Sequence, residues 1–161
     1  MGKEVVSYPQ RVLRRKTKPV KGAGEEELNL VRHMIEVMFE NRGVGLSANQ
    51  IGVNKRIFIA SPRMKRDEVF IFINPKIVRK YGRAMDEEGC LSVPGISAFI
   101  QRYKDVEVEA LNLEGKLFRM KAEGLTARII QHEIDHLNGR IFLDRVPFKE
   151  RRKCLKRFKQ R

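Results

Sequence analysis

The stretch QHEIDHLNG, residues 131–139, decides how the rest of the chain is read. On an α-helix advancing roughly 100° per residue, His132 set at 0° puts His136 at about 40° and Glu133 at about 100°. Leu137, Ile130 and Ile134 fall at about 140°, 160° and 200°, on the side that packs into a core. The helix therefore has a polar working face and an apolar anchoring face. Two neutral imidazoles at i and i+4 can grip one metal ion, and an adjacent glutamate can move a proton. The pattern predicts a helix from about Thr126, as N-cap, to Asn138, with Gly139 as its C-cap.

Outward from this helix the chain alternates between short β-rich runs and one further amphipathic helix. Leu28, Val31, Met34, Ile35, Met38 and Phe39 keep helical spacing and predict a helix over about Glu25 to Asn41. Its first residues are acidic, as the positive end of a helix dipole prefers, and Gly43 lies just past its end. His33 lies on this helix and reads as a surface or packing residue. The runs RIFIA (56–60) and VFIFI (69–73) predict strands, the second ended by Pro75. VEVEAL (106–111) and KLFRMKA (116–122) predict a hairpin closed by a turn around NLEG (112–115). Residues 1–24 read as extended or turn-rich, and residues 148–161 as a basic tail or a helix with a thin apolar stripe. Together these elements predict an α+β fold: short antiparallel strands around a central metal-binding helix, with an N-terminal helix.

At 161 residues the chain is most simply one catalytic domain, long enough to bury a core. No apolar run approaches the ~20 residues needed to span a membrane, and the N-terminus lacks the apolar core of a signal peptide. Cys90 and Cys154 are too few and too far apart for a disulfide framework, which points to a reducing cytoplasmic compartment. An organelle is the alternative if a transit peptide has been removed. The formal net charge is +14, and it is concentrated at the ends. Residues 1–22 carry seven Lys/Arg against one Glu, and residues 148–161 carry eight against one, so the body between them is nearly neutral. Such ends suit a polyanionic partner or simply keep the termini solvated.

A catalytic zinc-type site takes three protein ligands and keeps one position open. A glutamate on a separate downstream helix is one way to complete it, but after Gly139 the only acids are Asp144 and Glu150. Upstream, Cys90 in DEEGCLSVPG precedes a Gly- and Pro-rich loop, where a thiolate could complete a Cys/His/His site. A buried, inert cysteine is the other reading of that residue.

Three segments, GVGLSANQIG (43–52), EGCLSVPG (88–95) and QHEIDHLNG (131–139), resemble the three motifs of the peptide deformylase family, in order and at that family's separations. YPQRVLRRKTKPV (8–20) resembles its N-terminal segment, so the likeness spans roughly residues 5–147. The resemblance implies a metallohydrolase that removes the formyl group from the N-terminal formyl-methionine of nascent chains and releases formate. It implies Cys90, His132 and His136 as metal ligands, with Fe²⁺ in the site or Zn²⁺, Ni²⁺ or Co²⁺ in its place. It implies Glu133 as general base and then acid, and Gln50 with the backbone N–H of Leu91 as donors to the developing oxyanion.

A tight space around Gly45, Gln50 and Leu91 is then expected to admit a formyl group and exclude larger acyl groups. The substrate is expected to add as a strand there, over Val44, Gly45 and Gly89. Leu125, Ile129, Val44 and the ring of His132 would form a methionine slot. Arg128, where some relatives carry an aliphatic residue, would wall that slot with its stem and send its head to water. Asp135 would orient a neighbour such as Arg102, or stand as a surface carboxylate. Ser47 and Asn49 replace the usual Ala and Pro of the first motif, which predicts altered loop stiffness with Gln50 intact. The basic ends would contact the ribosome and its RNA. Two other readings remain open on the sequence: an HExxH endopeptidase, and a basic RNA-binding protein with a structural metal site.

Overall fold

The computed structural model describes residues 4–161; residues 1–3 of the basic N-terminal segment lie outside the described residues. Three α-helices, α1 (Glu25–Glu40), α2 (Gly124–Leu137) and α3 (Phe148–Lys159), combine with seven strands. Five of these, β1 (Gly45–Ser47), β2 (Ile57–Ala60), β3 (Phe70–Tyr81), β6 (Asp105–Leu111) and β7 (Leu117–Glu123), form an antiparallel sheet in the order β1-β2-β3-β6-β7. The other two, β4 (Ala84–Cys90) and β5 (Val93–Arg102), pair as a separate hairpin. The α+β class read from the sequence is the class observed, and no helix among the described residues is long and apolar enough to cross a membrane.

Helix α2 packs on the large sheet through Ala127, Ile130, Ile134 and Leu137, against Phe58, Phe72, Val106 and Val108. This is the apolar face that the helical spacing predicted. Helix α1 buries Leu30, Val31, Met34, Val37 and Met38 against Leu46, Ile57, Ile59 and Ile73. A third cluster joins Ile96, Ala98 and Ile100 of β5 to Phe142, Leu143 and Cys154. The β4–β5 hairpin and β1 thus flank α2, and the functional groove lies between them.

Several local expectations need correction. Pro75 does not end β3. The strand runs on to Tyr81, because a register shift between Ile73 and Lys76 sets the proline where no ladder N–H is needed. Asn74 adopts φ 51° there, and its side-chain amide brackets Val20 with two 2.8 Å hydrogen bonds. Thr126 is not the N-cap of α2; the helix starts at Gly124, directly after β7. At the other end Asn138 is the cap residue, and Gly139 follows it at φ 76°, pressed against the carbonyl of Arg14, where a Cβ would come within 2.6 Å of the oxygen. EGCLSVPG is not a loop: it spans the end of β4, a two-residue turn at Leu91 and Ser92, and the start of β5, with Cys90 the last residue of β4. Residues 148–159 do form a helix, docked through Cys154, Leu155 and Phe158. Residues 4–24 are extended and turn-rich as expected, with a 3-10 turn at Arg11–Arg14 that buries Leu13.

Candidate metal centre and substrate groove

Each of the three predicted ligands comes from an element end or face that the fold fixes. One turn of α2 separates His132 from His136, and the hairpin brings Cys90 across to them. Cys90 Sγ lies 3.2 Å from His136 Nε2, which lies 3.1 Å from His132 Nε2, and the three ligand atoms fall within 4.8 Å of one another. Neither Asp144 nor Glu150 belongs to this group among the described residues, and His33 lies apart from it on α1. A thiolate and two imidazoles converging on one point are a donor set for a divalent cation of intermediate softness.

The protonation of these groups is set by their surroundings. Burial alone would push the Cys90 thiol up, but the imidazoles of His136 and His132 outweigh it and bring it well below its ordinary value. The thiolate is the form that binds metal. Burial would lower the pKa of His132, but hydrogen bonds to Cys90 and Glu88 outweigh it and raise it to about 10. A proton and a divalent cation compete for the same Nε2 lone pair, so the affinity for protonation here is an affinity for positive charge. The donor set therefore fits a metal ion on both geometry and electrostatics.

Glu88 accounts for the orientation of His132. Its carboxylate accepts from His132 Nδ1 at 2.9 Å, so that the Nε2 lone pair faces the centre once a metal ion displaces the proton held there. It also accepts two bonds from Arg102, at 2.7 and 2.8 Å, and one from Arg128 Nη1 at 2.6 Å. Burial opposes its charge, yet Arg102 and His132 hold its carboxyl well below the usual carboxylate range. Arg102 also donates to Asp135 at 2.7 Å, and Arg145 grips the same carboxylate with two bonds. Asp135 is thus the partner of Arg102 that the sequence reading allowed for. The expectation for Arg128 is corrected: its head does not reach water but is buried, donating to Glu88, to the Ile100 carbonyl at 2.9 Å and to the Ala84 carbonyl at 3.0 Å.

Glu133 is placed differently. It is buried, and its Oε2 has no hydrogen-bond partner. Burial raises its pKa, partly offset by His132 and His136. Gly45 makes room for it: a Cβ at that position would stand 2.8 Å from Glu133 Oε1 and 2.9 Å from Ile129 Cγ2. Gln50 sits beside the thiolate. Its amide oxygen accepts from the Ser47 backbone N–H at 3.0 Å, which turns its NH₂ toward Cys90 Sγ at 3.6 Å and Ser92 Oγ at 3.1 Å. The Ser47 hydroxyl lies within bonding distance of both Gln50 Oε1, at 3.0 Å, and Asn49 Oδ1, at 2.8 Å, with one proton to give. Asn49 Nδ2 donates to the His136 carbonyl at 2.6 Å. The two departures from the usual first motif therefore tie its turn to Gln50 and to α2.

A groove of about 730 Å³ runs over this centre. Its lining includes every substrate-binding residue expected from the sequence, Val44, Gly45, Gly89, Leu125, Arg128 and Ile129, together with Gln50, Cys90, Leu91, His132 and Glu133. Leu125 stands at its rim, 55% exposed. His136 is fully buried beneath it. Sequence reading gave no role to Ser92, nor to Glu88 beyond its place in the motif.

A family model described as polypeptide deformylase matches residues 2–152. The peptide deformylase of Neisseria gonorrhoeae is 44% identical over 142 residues, 88% of this chain and 85% of that protein. A solved peptide deformylase structure from Legionella pneumophila superposes with a TM-score of 0.91 at 39% identity, covering 98% of this chain and 95% of the other. The Synechococcus elongatus peptide deformylase, solved in complex with actinonin, gives a TM-score of 0.91 at 37% identity, with 96% of this chain and 86% of that one covered.

Proposed function

The chain belongs to the polypeptide deformylase family, a family of metallohydrolases, and from that premise we propose which of its residues carry the removal of formyl from N-terminal formyl-methionine. The observation that carries the reading is the convergence of Cys90 Sγ and the two histidine Nε2 atoms beside a buried, partly unpaired Glu133. Cys90, His132 and His136 hold one divalent ion, and Fe²⁺ is the ion proposed, with Zn²⁺, Ni²⁺ and Co²⁺ as substitutes. When bound, the ion supplies a Lewis acid that makes water nucleophilic at neutral pH.

Glu133 takes the proton from the attacking water and hands it to the departing amide nitrogen, and the acid proton of the formic acid so formed passes to the amine, so that formate and an ammonium terminus leave with the charge balanced. Its raised pKa brings it closer to the range in which a carboxyl both accepts and returns a proton. The Gln50 amide and the Leu91 N–H donate to the oxygen on which negative charge grows, and because the Gln50 amide is already oriented by Ser47 it needs little rearrangement. The small space at Gly45 admits a formyl carbon, which bears only hydrogen. Val44, Leu125, Ile129 and the stem of Arg128 line the methionine side of the groove. All these residues lie within 44–136 and join elements from both halves of the chain, which supports one catalytic domain.

A cytoplasmic site of action and contact with the ribosome through the basic ends complete the proposal. Helix α3 supports the second part, with Lys149, Arg152, Lys153, Lys156, Arg157 and Lys159 exposed along it. Because Cys154 is fully buried, removing the helix would open the core. Charge substitution of Lys153, Lys156 and Lys159 is the cleaner test of ribosome co-sedimentation.

The enzymatic reading is tested by anaerobic loading with Fe²⁺ or Ni²⁺ and formate release from formyl-Met-Ala-Ser. Cys90→Ser is expected to lose metal stoichiometry and turnover together. Full metal retention and turnover in Cys90→Ser would overturn the ligand assignment, and no formate from the loaded parent would overturn the assigned activity.

A further inference from the structure

On a different face of α2 from the metal centre lies a second concavity of about 460 Å³. Gln131, Ile134, Asp135 and Asn138 line it, roughly 200–300° around the helix from His132. Six cations line the same space, Lys16, Lys80, Arg83, Arg102, Arg140 and Arg145, and Asp135 is the only carboxylate among the lining residues. That carboxylate is already shared between Arg102 and Arg145. Lys16, Lys80, Arg83 and Arg140 are exposed and take part in none of the ion pairs of the described residues. Arg83 and Lys80 converge on one ring, lying 4.1 and 5.0 Å from the centroid of Tyr103. A neighbouring cavity of about 480 Å³ shares Arg83, Gln101, Arg140 and Arg145 and adds Arg151 and Asp144, which pair with each other at 3.2 Å.

The bulk charge of the chain does not explain this grouping. Five of the six cations come from the body of the sequence, outside the two basic ends, where acids nearly balance bases. The fold has brought like charges from β3, β5, the β3–β4 turn and the segment after α2 into one concave wall. Converging like charges repel, and a concave surface of one sign focuses its field on whatever enters. A single small anion would meet only one or two of these groups. Several phosphates close together would meet the spread of guanidinium forks, which pair with phosphate oxygens two at a time. The volume is also in the range of pockets that hold a nucleotide-sized ligand.

We propose that this basic pocket is a binding site for clustered phosphates, carried either by a nucleoside polyphosphate or by consecutive phosphates of single-stranded RNA. The site is separate from the metal centre, and turnover of formyl-Met-Ala-Ser serves only to show that each variant is folded and loaded. The Ni²⁺-loaded full chain is titrated calorimetrically with uridine triphosphate and, in a second arm, with an eight-nucleotide oligouridine, and metal content is read before and after. The expected result is one-to-one binding that weakens by about tenfold or more in Arg83→Gln/Arg140→Gln and is unchanged in Lys116→Gln/Lys121→Gln, which removes the same charge outside the pocket. Binding of the triphosphate alone assigns a free nucleotide, and binding of the RNA alone assigns a nucleic acid backbone. Binding of both assigns the phosphate chemistry they share. Equal weakening in the two double variants, or no binding in either arm at low salt, overturns the site.

Discussion

Two buried carboxylates lie near the histidines proposed to hold the metal, in contrasting surroundings. Glu88 accepts four hydrogen bonds, from Arg102, Arg128 and His132, and its carboxyl is held well below the ordinary range. Glu133 leaves one buried oxygen without a partner, and its pKa is pushed up. Leaving a polar atom buried and unpaired costs about 1–3 kcal/mol in an ordinary core. The contrast separates two uses of the same chemical group. A saturated carboxylate cannot take a proton readily and serves to fix its neighbours. An unsaturated one is held available for a proton that arrives with water.

The largest expected effect comes from Glu133→Gln. If its free oxygen is the proton acceptor, kcat for formate release falls by about 10²- to 10⁴-fold, while metal content stays at that of the parent. Thermal unfolding should move little, or upward, because a buried and unpaired carboxylate has been replaced by a neutral amide. A variant that keeps its turnover would break the contrast at its functional end.

Glu88→Gln should show the opposite pattern. Without its charge, the buried Arg102 and Arg128 lose their shared counter-ion, and removing one partner of such a network costs about 3–5 kcal/mol. The ring of His132 also loses the carboxylate that orients it, so metal affinity should fall by about 10- to 100-fold. At saturating metal, turnover should fall far less than in Glu133→Gln. Competition with a metal-binding dye, together with chemical unfolding, reads both quantities. Loss of turnover with affinity and stability intact would mean that the two carboxylates had been assigned the wrong way round.

The sequence made one side of this contrast far more legible than the other. Glu133 was readable because His132, Glu133 and His136 lie within one helical turn, where the spacing alone sets the face. Cys90 was not readable from its own surroundings, which fit a buried thiol equally well; the resemblance to known motifs selected it. The partners of Glu88 were hidden because they are remote: Arg102 and Arg128 are 14 and 40 residues away, and Arg102 reaches Asp135 across 33. One signal was present. Ile96, Ala98, Ile100 and Arg102 occupy the buried parity of β5, so alternation alone would have placed a guanidinium indoors and demanded a carboxylate for it. β3 was cut short at Pro75 because a bulge depends on the partner strand, which local propensity does not see.

The smallest expected effect is also the most discriminating about Glu88. Arg128→Met keeps an unbranched stem along the groove and removes one of the four bonds to that carboxylate, with the donors to the Ile100 and Ala84 carbonyls. The two bonds from Arg102 and the one from His132 remain. If the role of Glu88 rests on being over-determined, His132 should keep its orientation, and metal affinity and kcat should stay close to the parent. The loss should appear in stability alone, about 1–3 kcal/mol from the unmet acceptors, or a fall in Tm of a few degrees for a chain of this size. A fall in metal affinity as large as that of Glu88→Gln would show instead that the guanidinium of Arg128 is the group holding the carboxylate to the histidine.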